Sequence, residues 1–93
     1  MNDPVGLTLE FGKACARPLR VFGVVQVQAY RAACTAAGAH RSERSRGYVA
    51  PLRSAPTLNA ELEAAGFQVE VRPDLAAALR DLANEVKRGS GSL

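Results

Sequence analysis

Ninety-three residues, 47% apolar but only 5% aromatic and without Trp, make one small domain whose core is thin and rich in alanine. Two cysteines, no CxxC and a single histidine exclude a disulfide framework and a four-ligand zinc set, and no apolar run approaches the roughly 20 residues of a membrane span. The net charge of +3 conceals an asymmetry: residues 13–53 hold eight basic residues against one acidic residue, while the flanking segments are mildly acidic.

Arginine outnumbers lysine ten to two, a bias that a GC-rich genome produces unaided, so the clustering carries the information. The N-terminus Met1-Asn2-Asp3-Pro4 has no signal pattern, and a cytoplasmic protein with reduced thiols is expected. So small a chain buries about 60–65% of its unfolded surface. Modest stability follows, helped by a partner or by self-association.

In chain order, Val5, Leu7, Leu9 and Phe11 alternate with Gly6, Thr8 and Glu10, which predicts a half-buried strand ended by Gly12. Lys13 to Ala16 reads as a connection. A second extended run then starts at Arg17-Pro18 and continues through Leu19, Val21, Phe22, Val24, Val25 and Val27, with Gly23 as a bulge or bend. From Gln26 the period changes: Val27, Tyr30, Cys34 and Ala37 predict a helix ended by Gly38. Ala39–Arg41 and Arg46–Ala50 read as a hairpin around Ser42-Glu43-Arg44-Ser45, closed by Pro51.

A second helix enters at Ser54-Ala55-Pro56-Thr57, capped by Ser54 or Thr57, with Leu58, Leu62 and Ala65 as its buried stripe and Gly66 as its end. Phe67, Val69 and Val71 alternate as a further strand. Asp74 caps the last helix, whose apolar face is Leu75, Leu79, Leu82 and Val86. Lys87 and Arg88 suit its last turn before Gly89. The segments Ala36-Ala37-Gly38-Ala39 and Ala64-Ala65-Gly66-Phe67 echo each other, either as ordinary helix–Gly–strand punctuation or as a duplication.

The fold expected is α+β: a small sheet of about four to five strands with two or three helices packed on one side. Residues 1–89 form the single domain and 90–93 a flexible tail. One continuous core should hold Leu58, Leu62, Phe67, Val69, Val71, Leu75, Leu79 and Leu82.

The sequence holds no catalytic constellation. Cys34 falls on the apolar stripe with Tyr30 and Ala37, which makes it a packed core residue. Cys15 reads as an exposed or half-buried loop residue. His40 has only Glu43 near it and reads as a surface or contact histidine. No phosphate-binding glycine loop, metal motif or nucleophile elbow occurs. No enzyme activity, cofactor or metal is expected.

The hairpin is the sharpest feature. His40, Arg41, Arg44, Arg46 and Arg53 lie within fourteen residues, interleaved with Tyr48. Arginines neutralise phosphates and a tyrosine face accepts a stacked base. The plainer alternative is a solvated basic loop whose tyrosine packs on the core.

The run from Tyr30 to Phe67 resembles the HARP-like accessory module found ahead of SNF2-type helicases. The resemblance rests on Gly38-Ala39-His40-Arg41, on Arg46-Gly47-Tyr48-Val49-Ala50-Pro51, on Leu58 and Leu62, and on Gly66-Phe67. It implies a DNA-contacting module without an ATPase motor. Two departures stand against it: Tyr48 replaces the usual Trp, and the aromatic expected near His40-Arg41 is missing.

Two functions remain open. One is a small nucleic-acid-binding module, of phage or plasmid origin, that uses His40, Arg41, Arg44, Arg46, Tyr48 and Arg53. The other is a protein-interaction factor, an inhibitor or assembly subunit, acting through a sheet edge or its alanine-rich helices, with a protein partner or a homo-oligomer. No membrane partner is expected.

Overall fold

Val5, Leu7 and Leu9 alternate with Gly6, Thr8 and Glu10, and the chain folds there as a strand, β1, Pro4–Glu10. The computed structural model describes residues 3–91, with side chains through residue 85. The next strand comes sooner than the sequence suggests. Glu10 pairs with Lys13 across a two-residue turn, and β2 is Lys13–Pro18, the segment that reads as a connection. Phe11 and Gly12 have φ of 51° and 75°, the two left-handed conformations of a type I′ hairpin turn. Phe11 is therefore a turn residue and not the end of a core face; it is 69% exposed.

The valine-rich run is not a strand either. β-Branched residues favour strands where a pleated neighbour receives them, and β2 already occupies the place beside β1. The chain leaves the sheet after Pro18, and α1 spans Val24–Ala36. Gly23 is its N-cap and not a bulge, its carbonyl accepting from the Val27 amide at 2.9 Å.

The hairpin expected around residues 42–45 forms as β3, His40–Ser42, and β4, Gly47–Ala50. A 3-10 turn at Leu52–Ser54 leads into α2, Ala55–Ala64. Ser54 is the N-cap of α2, without a side-chain capping bond. Then come β5, Gln68–Val71, and α3, Pro73–Gly91. Pro73 takes the first helical position, so Asp74 lies inside the first turn, where its Oδ1 accepts from the Leu75 amide at 2.8 Å. The helix runs through Gly89, because a glycine inside a helix costs only about 1 kcal/mol. The side chains of Val86, Lys87 and Arg88 and the residues Ser92 and Leu93 lie outside those described.

The echoing segments are two copies of one helix ending. Ala39 donates to Cys34 at 2.9 Å and Gly38 to Thr35 at 3.0 Å; Phe67 donates to Leu62 and Gly66 to Glu63, each at 3.0 Å. These are Schellman bonds, with Gly38 and Gly66 at φ of 83° and 94°. The strands that follow lie at opposite edges of the sheet, whose order is β3-β4-β2-β1-β5. Every neighbouring pair is antiparallel except β1 with β5.

This is an α+β fold, a five-stranded mixed sheet with three helices. All three helices press on one face, where Val5, Leu7, Ala14, Ala16, Tyr48 and Ala50 meet Tyr30, Cys34, Leu58, Leu62 and Leu75. Cys34 is fully buried there. Two expectations about the core change. Val71 is 40% exposed on the edge strand, and Leu79 and Val69 only flank the buried cluster. Cys15 is no loop residue: it sits in β2, opposite Thr8, and is fully buried on the face without helices. No described helix is long and apolar enough to cross a membrane.

Candidate functional site

Pairing register decides which way the basic residues face. His40 stands opposite Val49, which stands opposite Cys15, so His40 lies on the helix-free face. Arg41 stands opposite Tyr48 and lies on the helix side. Edge strand β3 therefore splits the predicted site between two surfaces.

On the helix side, Arg31 of α1, Arg41 of β3 and Arg46 of the hairpin turn line one cavity of about 220 Å³ with Pro18, Val27, Tyr30, Gly47 and Tyr48. Arg31 Nε donates to the Tyr48 hydroxyl at 3.2 Å. The Tyr48 ring is only 6% exposed and packs edge-on against Tyr30 at 5.3 Å. It offers no open face to a base. Tyr30 is tied down in turn, its hydroxyl donating to the Ala16 carbonyl at 2.6 Å. Burial raises the pKa of both Tyr30 and Cys34, the thiol to about 12.

On the other face, Lys13, His40 and Arg44 line a second cavity with Glu10, Phe11, Ser42, Ser45 and Val49. The β3–β4 turn is folded over this face. Arg17 Nε donates to the Ser45 carbonyl at 2.8 Å, and its Nη2 pairs with Glu10. The Arg44 guanidinium lies 4.3 Å from the centre of the Phe11 ring, within the range of a cation–π contact. Burial raises the Cys15 thiol, against the opposing pull of Arg17.

No family model, curated protein or solved structure matches the chain. The residues alone must therefore carry the reading.

Among the described residues, the ion pairs are Arg17–Glu10 and Arg20–Asp3. Both carboxylates come from the N-terminal segment, so among the described residues no acidic residue of the C-terminal half forms an ion pair with the basic middle. Lys13, Arg31, Arg41, Arg44, Arg46 and Arg53 make no ion pair among the described residues. Arg53 is exposed on the 3-10 turn and lines neither cavity. No group of His, Cys, Asp or Glu suited to a metal ion occurs among the described residues.

Sequence reasoning missed Phe11, Lys13 and Arg31. Four of the five aromatic residues, Phe22, Tyr30, Tyr48 and Phe67, pack together inside. Phe11 alone stands outside that cluster. Its neighbour Gly12 was a partial signal, since Gly suits the second position of a two-residue hairpin turn, but Phe before it is not among the residues that mark one. Arg31 follows Val24 and Val27 at helical steps of three and four, which would have placed it on their face of α1.

Proposed function

We propose that this protein binds nucleic acid with the two basic surfaces on either side of β3. One observation carries the reading: five Lys and Arg side chains without ion pairs among the described residues, from four separate elements, line two cavities that flank one sheet edge. Unpaired arginines are costly to crowd together, and phosphates relieve that repulsion while releasing counterions. Phe11 supplies a stacking face that Tyr48 cannot, since Arg44 covers one side of an otherwise exposed ring. A helix, a hairpin, a helix and a strand in this order are also what the HARP-like resemblance implies. The test is fluorescence anisotropy with single- and double-stranded DNA and RNA over a range of salt. Binding whose logarithm falls by about 0.7–0.9 per phosphate contact against log salt supports the reading; no binding at low salt rejects it.

A second reading, a protein-interaction factor, rests on a surface that adjoins the first cavity at Val27 and Arg31. Val21, Val24 and Val25 are 96%, 75% and 74% exposed around the start of α1. Val24 and Val27 continue along the helix into Arg31, so the patch fits a protein segment with apolar side chains bordered by carboxylates. Val21→Ser and Val25→Ser, which line neither cavity, should abolish such an interaction and leave nucleic-acid binding intact.

A further inference from the structure

The two basic cavities differ in a way that separates their ligands. The second includes Glu10 in its lining, whereas the first is lined by three arginines and no carboxylate. Arg31, Arg41 and Arg46 come from a helix, a strand and a turn, so no single element explains their meeting. Arg46 moreover holds φ at 54°, a left-handed conformation that glycine, and after it Asn and Asp, adopts far more readily than Arg. A strained arginine in the lining of a cavity is an outlier that asks for a functional reason.

The Tyr48 hydroxyl accepts from Arg31 and so keeps its own proton to donate. At about 220 Å³ the cavity is smaller than the roughly 300–1,000 Å³ of sites that enclose a whole small ligand. It suits one anionic group and the first atoms attached to it, with Pro18 and Val27 as an apolar wall.

We infer that this cavity holds the terminal phosphomonoester of a nucleic-acid strand. The inference rests on the nucleic-acid reading and deepens it. A backbone phosphodiester carries one negative charge, which a single bidentate arginine satisfies. A terminal phosphomonoester carries about −1.5 to −2 at pH 7 and three strong acceptor oxygens. Three guanidinium groups and a hydroxyl donor match the second ligand.

The test compares oligonucleotides of one sequence bearing a 5′-phosphate, a 3′-phosphate or only hydroxyl ends. One phosphorylated form should bind about tenfold more tightly than the hydroxyl form, and which one does so identifies the end that is read. The advantage should shrink as pH falls through about 6, where the monoester takes up its second proton. Arg41→Ala with Arg46→Asn should erase the advantage; Asn tolerates the left-handed turn, and circular dichroism confirms that the variant folds. Lys13→Ala with Arg44→Ala should weaken all three oligonucleotides alike. Equal binding of the three by the parent protein would overturn the inference and leave nucleic-acid binding standing. Binding of none would remove both. Excess inorganic phosphate should compete away the advantage and leave the hydroxyl form bound.

Discussion

The Nε of Arg17 reaches across twenty-eight positions of chain to donate to the Ser45 carbonyl at 2.8 Å. That bond holds the β3–β4 turn against the helix-free face, where Arg44 lies over the Phe11 ring. Gly47 makes the contact possible. A Cβ at that position would lie 2.3 Å from the Ala16 carbonyl oxygen and 2.9 Å from Arg17 Cγ.

Gly47→Ala should therefore destabilise the domain by about 1–3 kcal/mol, since backbone must move to admit the methyl group. Urea denaturation measures the cost. Arg17→Ala removes the same tether without overpacking and should cost about 1.5 kcal/mol. If Gly47→Ala is neutral, the close approach of β4 to β2 is wrong.

The core gives a graded prediction. Leu58 and Leu62 are fully buried, whereas Leu79 only flanks the cluster. Leu58→Ala should cost about 3–5 kcal/mol and Leu79→Ala about 1–2, because a half-exposed site loses less apolar burial and leaves a smaller void. Equal losses at the two positions would place α3 deeper in the core than its burial indicates.

The same contrast explains how much of the fold could be read in advance. Regular alternation in β1 and β5 and helical steps in α1, α2 and α3 gave the order of elements. Gly38 and Gly66 marked two helix ends correctly because a positive φ there is a local demand. The residues of β2 escaped because Lys-Ala-Cys-Ala has weak strand propensity and forms a strand only through pairing with β1 and β4. The valines after Gly23 misled for the converse reason: they favour strands, but β2 already occupies the place beside β1. The charged hairpin was legible as a composition. Its division between two faces was not, since that depends on which residue of β3 stands opposite Tyr48.

Alkaline pH tests the buried thiols. Burial raises the Cys34 pKa from its usual 9.0 to about 12 and raises that of Cys15 as well. Between those values the unfolded chain releases the Cys34 proton and the folded chain retains it. The Cys34 contribution is thus fully present below about pH 9 and falls as pH rises toward 12, by about 1.4 kcal/mol per unit, and Cys15 acts in the same direction. Denaturation midpoints from pH 7.5 to 10.5 under reducing conditions should show the decline, and Cys34→Ala should make it shallower. An unchanged slope in that variant would assign the decline to other groups.

Phe11 separates stability from function. Its φ of 51° belongs to the first position of a type I′ turn, where Asn before Gly is the favoured choice. A phenylalanine there carries about 1 kcal/mol of strain, and its ring is 69% exposed, so core packing does not repay that cost. Phe11→Asn relieves that strain but gives up the Arg44 contact, worth about 0.5–1 kcal/mol at an exposed site, so stability should stay level or rise by up to about 0.5 kcal/mol. If a base stacks on the ring opposite Arg44, the same change should weaken nucleic-acid binding by about 1–3 kcal/mol while leaving the salt slope nearly unchanged, because no phosphate contact is lost. Level or slightly raised stability with lowered affinity is the expected result. A variant that is more stable and binds equally well would leave Phe11 a strained turn residue without a role in binding, and the basic cavities would then have to hold the ligand by charge alone.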